Sequence, residues 1–137
     1  MNHEQHWVSV WGNAVSVAGN RPERYAKDIT IRYPIHIPFS GEAVRLTFDN
    51  YCGTEAVTLN KTTVFYGGVF YPVTFDGNRQ VTIPAGEKAV SDALAVKLNE
   101  GEVIQVSFYL KDFTLMRSVV FACGPLSEGL YANGDET

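Results

Sequence analysis

Apolar and polar residues alternate along positions 29–37, where every odd position is apolar and every even position is Thr, Arg, Pro or His. A period of two sends successive side chains to opposite faces of a strand, so this segment is predicted to be a β-strand with one buried face. Pro34 has no backbone N–H to donate, which favours a sheet edge or a bulge at that position.

Shorter runs of the same kind recur along the chain and are separated by turns that contain Gly, Pro or Asn. Together with 29–37 they predict about nine strands. The sequence Asp76-Gly77-Asn78 tolerates positive φ, so the runs before and after it are expected to pair antiparallel as a tight hairpin. The shorter runs are 7–10, 44–48, 57–65, 73–75, 81–83, 93–98, 103–110 and 117–121.

Helical periodicity is missing from the sequence, since the best candidate, 22–27, would form little more than one turn. A parallel sheet needs crossover connections, usually helices, and is therefore excluded. The predicted fold is all-β: an antiparallel β-sandwich that is jelly-roll-like, with an immunoglobulin-like topology as the alternative. The 137 residues fit one domain, 1–137, and the loss of pattern over 130–137 predicts a domain boundary there.

Charge and hydropathy exclude two classes of partner. The formal net charge is −4 and the basic residues are scattered, so a nucleic-acid partner is not expected. No run approaches the about 18 apolar residues of a membrane-spanning helix, and the N-terminus is polar with no signal-peptide core. The sequence therefore predicts no membrane span and a cytoplasmic location, with secretion as the alternative if the N-terminus has been trimmed.

The residue types needed for catalysis do not form a recognisable motif. Neither GxSxG nor GDS occurs, and the nearest string, 134–137, has Glu136 where a GDS serine would stand. His36 lies on the polar face of a predicted strand, and no HExxH pattern accompanies it. No catalytic residue, metal or cofactor is predicted. Acidic residues at strand ends are expected to serve turns: Asp28, Asp49, Glu55, Asp76, Asp92 and Asp112.

Two cysteines and one aromatic segment leave alternatives open. Cys52 and Cys123 are expected to be buried free thiols rather than a disulfide. The segment 65–71 places four aromatic residues around a Gly-Gly turn. Core-facing aromatics would give the same pattern as an exposed platform on which Tyr66, Phe70 and Tyr71 stack against sugar rings.

Several phrases, taken in order, resemble the N-terminal β-sandwich accessory domain that precedes the catalytic domain in a group of SGNH/GDSL-type esterases, of the lysophospholipase-like and carbohydrate-esterase-like kind. They span nearly the whole chain. They are WVSVWG (7–12), ITIR (29–32), GEAVRLTFDNYCG (41–53), VTFDG (73–77), VTIPAG (81–86), SD (91–92) and VSFYL (106–110).

The resemblance implies scaffold roles for the polar residues in these phrases. Asn50 would cap the strand end after Phe48, and Ser91 and Asp92 would bond local backbone. Arg32 and Arg45 would pair with carboxylates or hold loops.

The resemblance also implies a function. The chain would be a non-catalytic accessory domain that packs on an SGNH hydrolase catalytic domain in cis, and the parent enzyme would hydrolyse an ester of a lipid or an acylated carbohydrate. Trp7, Trp11 and the C-terminal segment are the candidate contacts, with an apolar patch near the C-terminus that is either bare or buried in a homodimer. Two alternatives remain: a carbohydrate-binding module, and a small stand-alone esterase or glycosidase.

Overall fold

The computed structural model describes residues 7–10, 24–112, 114–116 and 130–137. These residues contain strands and no helix, which confirms the all-β prediction. In chain order the strands are β1 (Arg24–Ala26), β2 (Ile29–His36), β3 (Thr47–Asp49), β4 (Val57–Leu59), β5 (Lys61–Tyr66), β6 (Val69–Val73), β7 (Val81–Ile83), β8 (Lys88–Val90), β9 (Val103–Leu110), β10 (Thr114–Met116) and β11 (Leu130–Asn133).

The largest element is a five-stranded antiparallel sheet with the strand order β11-β2-β9-β5-β6. Strand β2 pairs with β9 along its whole length, from Ile29 opposite Leu110 to His36 opposite Val103. Both strands were predicted from alternation alone. Their odd and even positions divide between the two faces, so one face is apolar and the other carries polar residues.

Shorter segments form a second layer over the apolar face of this sheet. Two antiparallel pairs, β3–β8 and β4–β7, and isolated bridges at Val44–Leu94 and Gly41–Leu98 make up this layer. The resulting arrangement is sandwich-like, with the core between the layers; a jelly-roll order of strands stays a prediction. The main buried cluster is Ile35, Ile37, Val64, Val73, Phe75, Val96, Leu98, Ile104 and Val106.

The tight turn at Asp76-Gly77 is confirmed, but the pairing of its flanking strands was predicted wrongly. Both turn residues have positive φ, 49° and 81°, and Phe75 exchanges two backbone hydrogen bonds with Asn78. Beyond that bridge the strands separate, because the carbonyl of Thr74 accepts a hydrogen bond from the Asp92 N–H at 2.8 Å. Strand β6 instead pairs with β5, and β7 pairs with β4.

Three other expected strands differ from the structure. The run 57–65 is divided at Asn60, whose side chain accepts a hydrogen bond from the Lys111 N–H at 2.9 Å. Residues 93–98 form isolated bridges only, because a hydrogen bond from the Val96 N–H to the Leu94 carbonyl makes a tight turn there. Residues 7–10 are not in a strand, and the run 117–121 lies outside the described residues.

Two more expectations are corrected by the sheet register. Residues 24–26, within the best helical candidate, form β1 and pair with β10. Pro34 lies in β2, which is not an edge strand of the sheet. However, β11 pairs with β2 only from Ile29 to Arg32, so Pro34 lies beyond that pairing and faces Gln105 of β9 on its other side. The missing N–H of Pro34 is tolerated because, in the described register, β2 has one neighbouring strand at that position, as it would at a sheet edge.

Candidate functional site

The polar face of the five-stranded sheet, which points away from the core, is the candidate site and is called the outer face below. Its residues alternate with the core residues along each strand. Cross-strand register places them in rows, so that Phe70, Phe65, Gln105 and Pro34 lie next to one another across four strands. The next row is formed by Pro72, Thr63, Ser107 and Arg32, followed by Lys61, Tyr109 and Thr30.

The C-terminal segment, 134–137, lies on the outer face and is held there by polar contacts. The Thr30 hydroxyl donates to the Gly134 carbonyl at 2.6 Å and accepts from the Glu136 N–H at 2.9 Å. Arg32 donates through Nη2 to the Glu136 carbonyl at 2.7 Å. The sequence predicts an apolar patch near the C-terminus. The described residues form a polar contact there instead, because the side chains beneath this segment are polar and already bonded to it.

Arg32 also connects the segment to the centre of the sheet. Its Nε donates to Ser107 Oγ at 2.7 Å, and the Ser107 side chain is almost fully buried. Lys61 forms an ion pair with Asp135, and this contact together with hydrogen bonds from Thr137 lowers the pKa of Asp135. The predicted role of Arg32 in holding loops corresponds to these contacts, which involve a backbone carbonyl rather than a carboxylate.

A tyrosine and a carboxylate meet at the edge of this polar region. The Tyr109 hydroxyl donates a hydrogen bond to Asp28, which has a positive φ of 50° in the turn before β2. That hydrogen bond, reinforced by partial burial and by the negative charges of Asp28, Asp135 and Asp112, raises the pKa of Tyr109 to about 12. Tyr109 is therefore a neutral donor at ordinary pH.

Two phenylalanines form the apolar end of the outer face. Phe65 and Phe70 lie directly opposite each other in the β5–β6 hairpin, with ring centroids 4.6 Å apart and planes inclined by 46°. Phe70 is 55% exposed. The hairpin turn, Gly67-Gly68, needs glycine because both residues have positive φ, 59° and 79°. This turn fixes the register that places the two rings together.

The predicted platform of Tyr66, Phe70 and Tyr71 is not formed. Phe70 and Tyr71 are consecutive strand residues and so point to opposite faces. Tyr66 and Tyr71 pack against the main core, and the Tyr66 hydroxyl donates to Glu102. Of the predicted trio, only Phe70 belongs to the outer face, where its neighbour is Phe65.

The other candidate contact, Trp7, lies on the outside of the second layer. Its ring is 43% exposed and is covered by the Arg45 guanidinium, 4.4 Å from the ring centroid. Exposed Val90 pairs with Thr47 of the strand that follows Arg45, so it lies on the same outer side. Arg45, expected to pair with carboxylates or hold a loop, contacts an aromatic ring. Trp11 lies outside the described residues.

Asn50 ties the turn after β3 to the end of β7. Its amide nitrogen lies 2.9 Å from the Glu55 carbonyl oxygen, 3.1 Å from that of Ile83 and 3.2 Å from that of Pro84. A Cβ atom on Gly53 would lie 1.9 Å from Asn50 Oδ1, so the close approach requires glycine. Asn50 was expected to cap the end of the strand after Phe48. In the structure its amide instead bridges segments that are distant in sequence.

Ser91 and Asp92 organise the turn at Asp76-Gly77 and the neighbouring strand. The Asp92 carboxylate accepts hydrogen bonds from Thr74 Oγ1 at 2.7 Å and from the Gly77 N–H at 2.9 Å, and these bonds lower its pKa. Ser91 Oγ accepts from the Leu46 N–H at 2.8 Å. Both side chains were expected to bond local backbone: Ser91 Oγ does so by donating to the Asp92 carbonyl at 3.0 Å, whereas the backbone groups bonded by the Asp92 carboxylate belong to another segment.

The remaining sequence candidates are placed separately. His36 is exposed at the end of β2, and Cys52 is a half-buried free thiol, whereas Cys123 lies outside the described residues. Asp49 accepts a hydrogen bond from the Tyr51 N–H at 2.7 Å, which is a turn role. Sequence reasoning missed Phe65, Thr63 and Gln105, because only strand register shows that they are neighbours of Phe70.

Among the described residues, no three His, Cys, Asp or Glu side chains are grouped so as to hold a metal ion. That same part of the chain contains no helix of the length and hydropathy needed to cross a membrane. No protein-family model and no curated protein matches the chain.

Proposed function

We propose that this chain is a non-catalytic accessory domain of an SGNH/GDSL-type esterase, and that it packs on and supports the catalytic domain in the same polypeptide. The proposal rests on contacts between the resembling phrases in the folded chain. The phrases that resemble the family's accessory domain are far apart in sequence, yet their polar residues bond to one another. Such contacts are those of one folded unit, and they fit the scaffold roles that the resemblance implies for these residues.

Three pairs of phrases meet in this way. Asn50, from 41–53, bonds the Ile83 and Pro84 carbonyls of 81–86. Asp92, from 91–92, accepts hydrogen bonds from the backbone and the Thr74 side chain of 73–77. Ser107, from 106–110, accepts from Arg32 of 29–32. The roles are structural in each pair, which supports a scaffold function for these residues.

The surface around Trp7 supports a second part of the proposal, namely contact with a neighbouring domain. Trp7, Val8 and Val90 are large apolar side chains exposed on the described surface. Arg45 lies over the Trp7 ring and would hold it in place for a partner. An interface centred on a tryptophan and an arginine has the composition found at binding hot spots. A second copy of this chain is the alternative occupant of this surface.

The proposal assigns the chemistry to the partner domain. In the resembling family, that domain holds the GDS nucleophile and hydrolyses esters of lipids or acylated carbohydrates, so the parent of this chain would have an ester substrate. We also propose a cytoplasmic location, which the free thiol of Cys52 supports because reducing compartments keep thiols unpaired.

Hydrolysis of a short-chain p-nitrophenyl ester tests the accessory role. We expect no turnover by the 137-residue chain and turnover by the chain extended through the coding sequence that follows Thr137. Trp7→Ala should lower the thermal unfolding midpoint of the extended protein more than that of the short chain, while Tyr51→Ala, at another exposed aromatic, should lower neither midpoint selectively. Turnover by the short chain that is lost in His36→Ala would overturn the proposal, as would a coding sequence that contains no hydrolase domain.

A further inference from the structure

The apolar end of the outer face has the components of a sugar-binding surface. We propose that Phe65, Phe70, Gln105 and Thr63 form a site for a neutral pyranose ring, with the exposed Phe70 ring as the stacking surface, Phe65 packed beside it and the two polar side chains as hydrogen-bonding partners. This site lies on the other layer of the fold from Trp7, so the inference does not depend on the accessory role.

The two phenylalanines supply the apolar part of the site. Their centroids are 4.6 Å apart, and Phe70 keeps 55% of its surface exposed. A pyranose ring presents a patch of C–H groups on one face, which matches the flat, electron-rich face of an aromatic ring. Phe70 is at the edge strand, so a ligand can approach it from the side as well as from above.

Thr63 places a hydroxyl group near the two rings, and Thr62, on the core face of the same strand, has a hydroxyl group that is also unpaired. Thr63 is 7% exposed, and its Oγ1 has no hydrogen-bond partner. A buried hydroxyl without a partner is destabilising, and protein structures pair nearly all such groups. Thr63 lies two residues from Phe65 on the same face, a separation of about 7 Å along a strand. A sugar stacked on the rings would bring its own hydroxyl groups within this range, and would pair with Thr63 once the covered hydroxyl is opened to it.

The charges on the outer face favour a neutral sugar. The row that contains Phe70, Phe65 and Gln105 carries no ionised group. Among the described residues, the Lys and Arg side chains of the outer face are Arg32, bonded to the Glu136 carbonyl, and Lys61, paired with the Asp135 carboxylate. An anionic sugar would have to displace those contacts, whereas a neutral one needs only donors and acceptors, which Gln105 and Thr63 provide.

A titration of the ¹⁵N-labelled chain with cellotetraose, xylotetraose and mannotetraose tests this inference. We expect saturable shifts of the Phe65, Phe70 and Gln105 amides with at least one of these oligosaccharides. Phe70→Ala should weaken that binding about tenfold or more, Phe70→Tyr should retain it, and Tyr51→Ala should leave it unchanged. The spectrum of each variant reports whether the fold is kept.

Thr63→Val separates a binding role from a structural one, because valine has the shape of threonine without the hydroxyl. The affinity should fall about threefold to tenfold, the effect of one hydrogen bond, while the urea midpoint of unfolding should not decrease. The inference is overturned if none of the three oligosaccharides gives saturable shifts, if the shifts map elsewhere, or if Phe70→Ala binds like the unaltered chain. Unchanged affinity with a lower urea midpoint in Thr63→Val would show that the hydroxyl serves the fold and not a ligand.

Discussion

The contact between Asn50 and Gly53 gives the sharpest test of how this fold is held together. Asn50→Ala removes an amide that bridges the carbonyls of Glu55, Ile83 and Pro84. An amide has two N–H donors, and each hydrogen bond contributes about 1 kcal/mol net, with a further cost for any acceptor left buried. The free energy of unfolding should therefore fall by about 2 kcal/mol. With a urea m value of about 2 kcal/mol/M, the midpoint should fall by about 1 M.

Gly53→Ala attacks the same contact from the other side. Its new Cβ would lie 1.9 Å from Asn50 Oδ1, so the asparagine must move and lose its hydrogen bonds. We expect a destabilisation of similar size to that of Asn50→Ala. In the double variant the obstructing atom is gone, so the combined cost should be close to that of either single change and well below their sum.

Urea unfolding of the four proteins, followed by fluorescence, measures this cycle. Asn78→Ala is the matched control, because the Asn78 side chain makes only a weak 3.5 Å contact with the Asp76 carbonyl, and its midpoint should change little. Additive costs for Asn50→Ala and Gly53→Ala would refute the reasoning, since they would mean that the two residues act independently.

Three further predictions concern charged and phenolic groups. The pKa of Asp92 is lowered in the folded state. The ionised Asp92 carboxylate therefore stabilises the fold above the unfolded pKa, and this stabilisation is lost as the pH falls through the folded pKa. Asp92→Asn should flatten the plot of unfolding free energy against pH below about pH 4. The pKa of Tyr109 is raised to about 12. The neutral phenol therefore contributes its full stabilisation below the unfolded pKa and loses it as the pH rises through the folded pKa. In Asp28→Asn, the absorbance change that marks formation of the Tyr109 phenolate should move to lower pH. Arg32→Ala should expose residues 134–137 to faster amide hydrogen exchange, because it removes the donor to the Glu136 carbonyl, and unchanged exchange there would contradict this reading of the contact.

Local patterns were sufficient to predict the long strands and the tight turn. The alternation along 29–37 and 103–110 predicts β2 and β9 because burial on one face of a strand is visible in the sequence itself. The turn at Asp76-Gly77 was also predictable, because positive φ restricts the residues that fit. The pairing of the strands on either side of this turn was not predictable. It depends on the hydrogen bond from the Asp92 N–H to the Thr74 carbonyl, which joins positions that no local pattern connects.

The candidate site could be predicted only in part for the same reason. Alternation shows that Tyr71 and Phe70 must face opposite ways, but it does not show which of them faces the core. Register with β9 decides this, because Val64 lies opposite Val106 in the core and leaves Phe65 beside Gln105 on the other side. Phe65 and Thr63 therefore become candidates only when three strands are seen together.

The proposed sugar site and the C-terminal segment share the outer face of the five-stranded sheet, and Arg32 connects them. Its guanidinium bonds both Ser107, in the row next to the phenylalanines, and the Glu136 carbonyl of the C-terminal segment. In a protein that continues beyond Thr137, this contact would fix the start of the following domain against the outer face. A sugar held by Phe65 and Phe70 would then lie on the face where a following domain begins, which is the other layer from the Trp7 surface. Under both proposals, an acylated carbohydrate is the ester substrate that would use both features, because its sugar could bind this sheet while its ester reaches the proposed catalytic domain.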